Sequence, residues 1–297
     1  DKNGAYTVKA AKEVIISAGT FNSPKLLELS GIGNREVLES KGITVQHELA
    51  GVGENLQDHF GIGAQYRASR PVTVNDLANN IIRGGLALVR YLLFKTGPFA
   101  NNGNYSNTFI HSSEDIDRPD MMITFMGWCT GENLQPRPFS GFTILAEHIR
   151  PDCRGTVHVR SDDPREQPII KFNFLESDAD KKAAIEGLKY ARKIAQTAPM
   201  SKFVTQELKP GSDKVTDEQL LEHCRSEGLS LLHCVGTCKM GVDELAVVDS
   251  RLKLHGLKGV RVIDASIMPT IVSGNTNAAA IMIGEKGAQM IIDDWCN

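Results

Sequence analysis

No Gly-x-Gly-x-x-Gly follows any apolar, strand-like run in this sequence. That turn normally lets a backbone approach a dinucleotide pyrophosphate at a helix N-terminus, so its absence removes half of an expected nucleotide site. No apolar run reaches the roughly 18 residues that a spanning helix needs. The best candidate, around Ile281-Met282-Ile283, is interrupted by Glu285 and Lys286. Neither charge is in large excess: 33 Lys and Arg against 36 Asp and Glu leave a net charge of -3. That makes no electrostatic case for nucleic acid or for an anionic membrane. There is no starting Met, no internal repeat and no low-complexity tract. Asp1-Lys2-Asn3-Gly4 reads as a hairpin turn entered mid-structure, so the chain is expected to begin inside a longer protein.

A zinc pattern is also missing. The six cysteines are Cys129, Cys153, Cys224, Cys234, Cys238 and Cys296. An even count in a chain of 297 residues argues only weakly for disulfides, which matter most in small secreted domains. Cys234 and Cys238 flank a Gly-containing loop beside His233, but they are four apart and no second ligand pair lies nearby. Buried packing thiols are the favoured reading, with no metal expected.

What is present is concentrated at the two ends. Residues 6–10 alternate like a half-exposed strand, and 13–19 form a short apolar run ending in small residues, as buried parallel strands do. Ser23-Pro24 then reads as a helix cap with Pro at the first helical position, and Gly31 as the stop. Strand, Gly turn and helix in that order is a piece of an α/β nucleotide fold. In the last quarter, His233 sits in Leu232-His233-Cys234-Val235-Gly236-Thr237-Cys238-Lys239-Met240-Gly241. The apolar strand Val260-Arg261-Val262-Ile263 ends at Asp264-Ala265, and Asn275-Thr276 open a long small-residue helix. A strand tip and a helix N-terminus facing one point make a place for an anion or for a cofactor's polar edge. A histidine delivered there would supply an acid or base.

Between the ends the texture changes. A helical stretch at 81–94 precedes an Asn/Gly-rich loop at 97–107. Candidate strands at 121–125, 141–148, 156–160 and 169–174 suggest an antiparallel sheet. A helix capped by Ser177, with Asp180 three residues on, follows it, and a second helix covers 217–226. The domain division expected is 1–59 with 229–297 in one domain and 60–228 inserted between them.

These residues resemble the glucose-methanol-choline family of flavin-dependent alcohol oxidoreductases, over nearly the whole chain. Ala18-Gly19-Thr20-Phe21-Asn22-Ser23-Pro24-Lys25-Leu26-Leu27-Glu28-Leu29-Ser30-Gly31-Ile32-Gly33 is similar to that family's second signature. Gly51 to His59 looks like its following loop, and Arg154-Gly155-Thr156-Val157 with Ser161-Asp162-Asp163-Pro164 looks like its substrate-domain sheet. The tail from His233 is similar to the choline- and aliphatic-alcohol-dehydrogenase branch. The resemblance implies an α/β plus α+β architecture: the C-terminal part of a Rossmann-like FAD-binding domain with an inserted antiparallel-sheet substrate domain. It implies FAD as cofactor and a small primary alcohol as substrate. An N-terminal piece of the same enzyme, carrying the Gly-rich FAD turn, is implied as partner.

Residue by residue, the resemblance makes His233 the general base. Asn275 becomes its partner over the substrate oxygen, although read alone Asn275 is a helix cap. Ala18, Gly19, Asp264 and Ala265 would lay backbone against the flavin's phosphate or ribityl chain. Asn275 and Thr276 would present the helix N-terminus to the flavin pyrimidine edge. The substrate pocket is expected near 97–107 and 126–135. Two rivals stay open: a flavin-bearing lyase of the hydroxynitrile type, and a non-catalytic fragment that only partners the N-terminal half.

Overall fold

The computed structural model describes residues 6–295, the side chain of Glu132 excepted. The expected turn at Asp1-Lys2-Asn3-Gly4 and the thiol of Cys296 lie outside the described residues. Two compact units form: one takes the chain up to Asp58, Cys153–Asn173 and everything from Leu232 on, the other His59–Asp152 and Phe174–Leu231. The segment Cys153–Asn173 thus departs from the expectation that 60–228 form one insertion. It is bound into the first unit by backbone pairing of Gly155 with Leu56 and by the Val157 N–H donating to Gly53 O (2.7 Å).

In the first unit Val14–Ile16 pairs in parallel with Val260–Val262, with Val14 opposite Val260 and Ile16 opposite Val262. Both strands deliver their C-terminal ends side by side, and the core of Leu27, Val52, Val235, Val248, Val262 and Ile283 packs around them. The helix Asn277–Trp295 comes close to the second strand's end because it carries Gly287, where an added Cβ would lie 2.5 Å from Ile263. Residues 6–10, expected as a strand, are exposed and form none, since no neighbour pairs with them among the described residues.

The helix Gly19–Leu29 starts earlier than its sequence suggests. It begins at Gly19, so Pro24 lies inside it, and Ser23 caps nothing. An interior proline removes the N–H that would bond to the carbonyl four residues back. Here that carbonyl belongs to Thr20, and it accepts instead from the buried hydroxyl of Thr237 (2.6 Å). The helix does stop at Gly31, which adopts φ +76 where a Cβ would strike Thr44 O.

The second unit is an antiparallel sheet in the order Val204–Lys209, Phe60–Ala68, Gly141–His148, Met121–Met126, Asn104–Ile110, with Leu229–Ser230 also pairing with Phe60–Ala68. The helix Asp178–Gln196 lies on one face, sealing a core of Phe60, Ile62, Ile144, Ala184 and Leu188. Its Ser177 side chain accepts from the Asp180 N–H (3.0 Å), as its sequence suggests. Of the four expected strands, the first two belong to this sheet. The other two, Thr156–His158 and Ile169–Lys171, pair with each other and belong to the first unit.

Candidate active site

The site is built from the ends of the parallel strand pair. Beyond Ile16, the Ser17 hydroxyl donates to Ile263 O (2.8 Å), holding the two exits together. Asp264, at the second exit, is the hub. Its Oδ1 accepts from the Ser266 N–H (2.8 Å), capping the short turn Ala265–Ile267. Its Oδ2 accepts from the Gly19 N–H (3.0 Å) and from the Ser23 hydroxyl. The Asp264 carboxylate therefore clamps the two turns to each other. Ser23 in turn accepts from the Ala18 N–H (3.1 Å). Gly19 adopts φ +81, and a Cβ there would meet nothing within 4 Å. The strand exits at Ala18-Gly19 and Asp264-Ala265 are thus pinned by side chains behind them, and open space lies beside Gly19.

The loop carrying His233 is sewn onto this frame. The Thr20 hydroxyl donates to Cys234 O (2.7 Å), and the Cys238 N–H donates to Ser266 O (2.8 Å). Asp58 supports it from another side: its carboxylate accepts from the His233 N–H (2.8 Å) and lies 3.4 Å from the Cys234 thiol. Asp58 is almost wholly buried. Sequence reasoning passed over Asp58, since it lies 175 residues from His233 in a stretch that reads as a connecting loop.

The His233 ring meets Asn275: the amide nitrogen lies 3.0 Å from Nε2. With the amide N–H as donor, Nε2 accepts and the ring proton sits on Nδ1. Burial pushes the His233 pKa below the ordinary histidine value, against the opposing pull of the nearby Asp58 charge. Both observations favour a neutral ring, the form that can take a proton. Asn275 itself is exposed and precedes the helix. Thr276, buried, supplies the carbonyl that accepts from the Ala280 N–H (2.9 Å). So Thr276 occupies the cap position, and Asn275 is released from capping to face the imidazole.

All seven sequence-predicted residues fall in the first unit. The structure brings together Ala18, Gly19, Asp264 and Ala265 at the strand exits, and His233 with Asn275 at the loop, with Thr276 next in the chain. In the second unit a cavity of about 990 Å³ is lined by Gln65, Met126, Trp128, Asn133, Thr143 and Leu231, among others. This takes up the expected stretch at 126–135. The other stretch, 97–107, borders a separate cavity of about 270 Å³ with Val74 and Leu77. Part of it, Asn104–Ile110, is an edge strand rather than a loop.

Two family models described as GMC oxidoreductase match, the N-terminal one over residues 1–61 and the C-terminal one over 151–284. The oxygen-dependent choline dehydrogenase of Staphylococcus aureus is 37% identical over 98% of this chain and 52% of its own length. That of Cronobacter sakazakii is 39% identical over 97% and 52%. The chain thus spans about half the length of the curated relatives it matches. Among solved structures, an Aspergillus oryzae formate oxidase, studied for its FAD modification, matches with a TM-score of 0.89. It is 26% identical, covering 96% of this chain and 55% of that one. With both family models represented and identities of this size carried along nearly its whole length, the chain belongs to the GMC oxidoreductase family.

Proposed function

We propose that this chain carries the catalytic end of an FAD-dependent enzyme that oxidises a primary alcohol to an aldehyde. The observation that carries the reading is the 3.0 Å contact between the Asn275 amide and His233 Nε2. An alcohol yields a hydride only as its hydroxyl proton leaves, and a neutral imidazole is suited to receive that proton once the Asn275 amide turns from Nε2 to the substrate oxygen. Once it is transferred, Nε2–H and the Asn275 amide are both donors, and both can bond to the alkoxide oxygen. FAD, when bound, supplies the hydride acceptor.

The residues present fit such a cofactor. Gly19 leaves open space beside a strand exit, and Asp264 holds the exits of both strands at one level. The backbone at Ala18, Gly19, Asp264 and Ala265 would hold the phosphate or ribityl portion. Asn275, Thr276 and the N–H groups opening Asn277–Trp295 would face the pyrimidine edge. A helix N-terminus favours negative charge by about 0.3–2 kcal/mol, which suits a ring that gains charge on reduction. Residues 1–297 contain no Gly-rich pyrophosphate turn, so we assign that role to an N-terminal piece of the same enzyme. The second unit, with its large cavity, is proposed as the substrate domain.

Anaerobic addition of a primary alcohol to the flavin-loaded protein tests the reading. Bleaching of the oxidised flavin absorbance is expected. An unbleached flavin with aldehyde released from a cyanohydrin would instead indicate a lyase, and no change with either compound a non-catalytic role. Calorimetry supplies the second test. FAD should bind residues 1–297 poorly and bind well once the N-terminal piece is added, and tight binding by this chain alone would refute that division.

A further inference from the structure

The loop of residues 55–58 holds both the His233 loop and the approach to Asn275 from behind, and Gln57 is its centre. Gln57 is almost wholly buried within the first unit. Its main chain pairs with Val235, two residues after His233. The Gln57 N–H donates to Val235 O (3.0 Å), and the Val235 N–H donates to Gln57 O (2.9 Å). Its side chain reaches a different segment, 212 and 214 residues away in sequence. There Nε2 donates to Pro269 O (3.1 Å), and Oε1 accepts from the Ile271 N–H (3.1 Å). A carbonyl can only accept and a backbone N–H can only donate, so these partners fix the orientation of the amide.

Little slack lies between those bonds and the site. On one side Asp58, the next residue, accepts from the His233 N–H (2.8 Å). On the other, the path from Ile271 to Asn275 is drawn in by the Gly274 N–H donating to Val272 O (2.9 Å), and Ile271 is anchored in the core. Asn55 adds a parallel tie, its Nδ2 donating to Gly236 O (3.2 Å) and to Pro269 O (3.3 Å). Gly236 makes room for it: it adopts φ +97, and a Cβ there would lie 2.5 Å from Asn55 O. An irregular segment has no ladder of its own, so residues 269–271 are placed by the side-chain amides that satisfy their polar backbone groups.

We propose that Gln57 is a positioning residue of this site. It carries the His233 loop on its backbone and the approach to Asn275 on its side chain, and thereby sets the 3.0 Å contact between the Asn275 amide and His233 Nε2. Asn55 is its auxiliary. A proton passes to a ring nitrogen only over hydrogen-bond distance, and a misplacement of about 1 Å can cost about 10²-fold in rate. The geometric claim stands apart from the reaction; only the effect on rate rests on the alcohol-oxidation reading above.

Two variants test it in the assembled enzyme. Gln57→Met keeps the length of the side chain and removes its amide. Asn55→Gly tolerates the left-handed φ of +62 at that position and removes the auxiliary tie. The first readout is nitrogen NMR of enzyme with isotopically labelled histidine and no alcohol, the His233 ring resonances being assigned by their loss in His233→Ala. Gln57→Met should move them to the position found in Asn275→Ala, where the amide is gone, and Asn55→Gly should move them part of the way. The second readout is stopped-flow flavin reduction by benzyl alcohol. Gln57→Met should lower the limiting rate by about 10- to 10²-fold in the parent. In an Asn275→Ala background it should lower the rate by about twofold or less, because the contact it serves is already absent. A general loss of structure would instead lower both by the same factor. Parent-like ring resonances in Gln57→Met, or equal factors in the two backgrounds, overturn the proposal. If Gln57→Met does not fold, Asn55→Gly is judged by the same two criteria. A parent flavin that primary alcohols leave oxidised counts against the alcohol reading, and the ring resonances then decide the present proposal alone.

Discussion

Two histidines of the first unit sit beside carboxylates and end in opposite states. His158 is held between Glu28 (2.7 Å from Nδ1) and Glu54 (3.1 Å from Nε2). Burial pulls its pKa down, but hydrogen bonds to both carboxylates prevail and raise it to about 9. His233 has Asp58 nearby, yet that carboxylate accepts from the His233 backbone N–H, while the ring faces an amide. Burial prevails there, and the pKa falls. For His158 the hydrogen bonds to two carboxylates outweigh burial, and for His233 burial outweighs the charge of Asp58. One imidazole is thereby favoured as the cation and the other as the neutral ring.

Removing the base should have the largest effect. His233→Ala is expected to slow flavin reduction by about 10²–10⁴-fold, the range for losing a general base. FAD content should stay near normal. Stopped-flow absorbance on the assembled enzyme measures both, and an unchanged rate would remove His233 from the reaction.

Making the His233 site resemble the His158 site is the next step. Asn275→Asp puts a carboxylate against His233 Nε2, which should raise the His233 pKa and deny the alkoxide a donor. Reduction should slow by about 10²–10³-fold, as when an oxyanion donor is lost. Asn275→His, which keeps a ring N–H, should lose less. Equal rates for Asn275→Asp and the parent at saturating alcohol would leave Asn275 without a part in the chemistry.

The third prediction concerns the cation. The folded pKa of His158 lies above its unfolded value, so protonation favours the folded state. Its stabilisation is complete below about 6.5, the unfolded value, and is lost as pH rises through about 9. At about 1.4 kcal/mol per pKa unit, the loss amounts to roughly 3 kcal/mol. Urea unfolding between pH 6 and 10 should show this slope in the parent and lack it in His158→Gln.

The smallest effect is expected behind the base. Thr237→Val leaves the Thr20 carbonyl, already deprived of its helical partner by Pro24, without a donor. A cost of about 1–3 kcal/mol is expected by chemical denaturation. A Pro24→Ala background should reduce that cost, because the restored N–H can take the carbonyl.

Much of this was legible from local pattern. The helices Ile81–Phe94 and Asp178–Gln196 follow from apolar spacing and, for the second, from Ser177, because capping and amphipathicity act within a turn or two. The residues 97–107 were misread because Asn and Gly suggest a loop, whereas Asn104–Ile110 is held as an edge strand by its pairing with Met121–Met126. Ser23-Pro24 carries a sound helix-start signal, yet the helix begins at Gly19. Thr237, more than two hundred residues away, supplies the bond that Pro24 removed.

The sequence by itself determined the short apolar strand runs, the Ser177 cap and the family motifs, and it singled out His233 and Asn275 as candidates. Tertiary structure alone decided that Cys153–Asn173 joins the first unit, that Asp264 clamps both strand exits, and that Thr276 rather than Asn275 caps the last helix. It also decided which histidine carries a charge. Propensity and periodicity are properties of a few neighbouring residues, and they survive in any context. Desolvation and hydrogen bonding depend on which groups the fold brings within about 3 Å, and for Asp58 and His233 those groups are 175 residues apart.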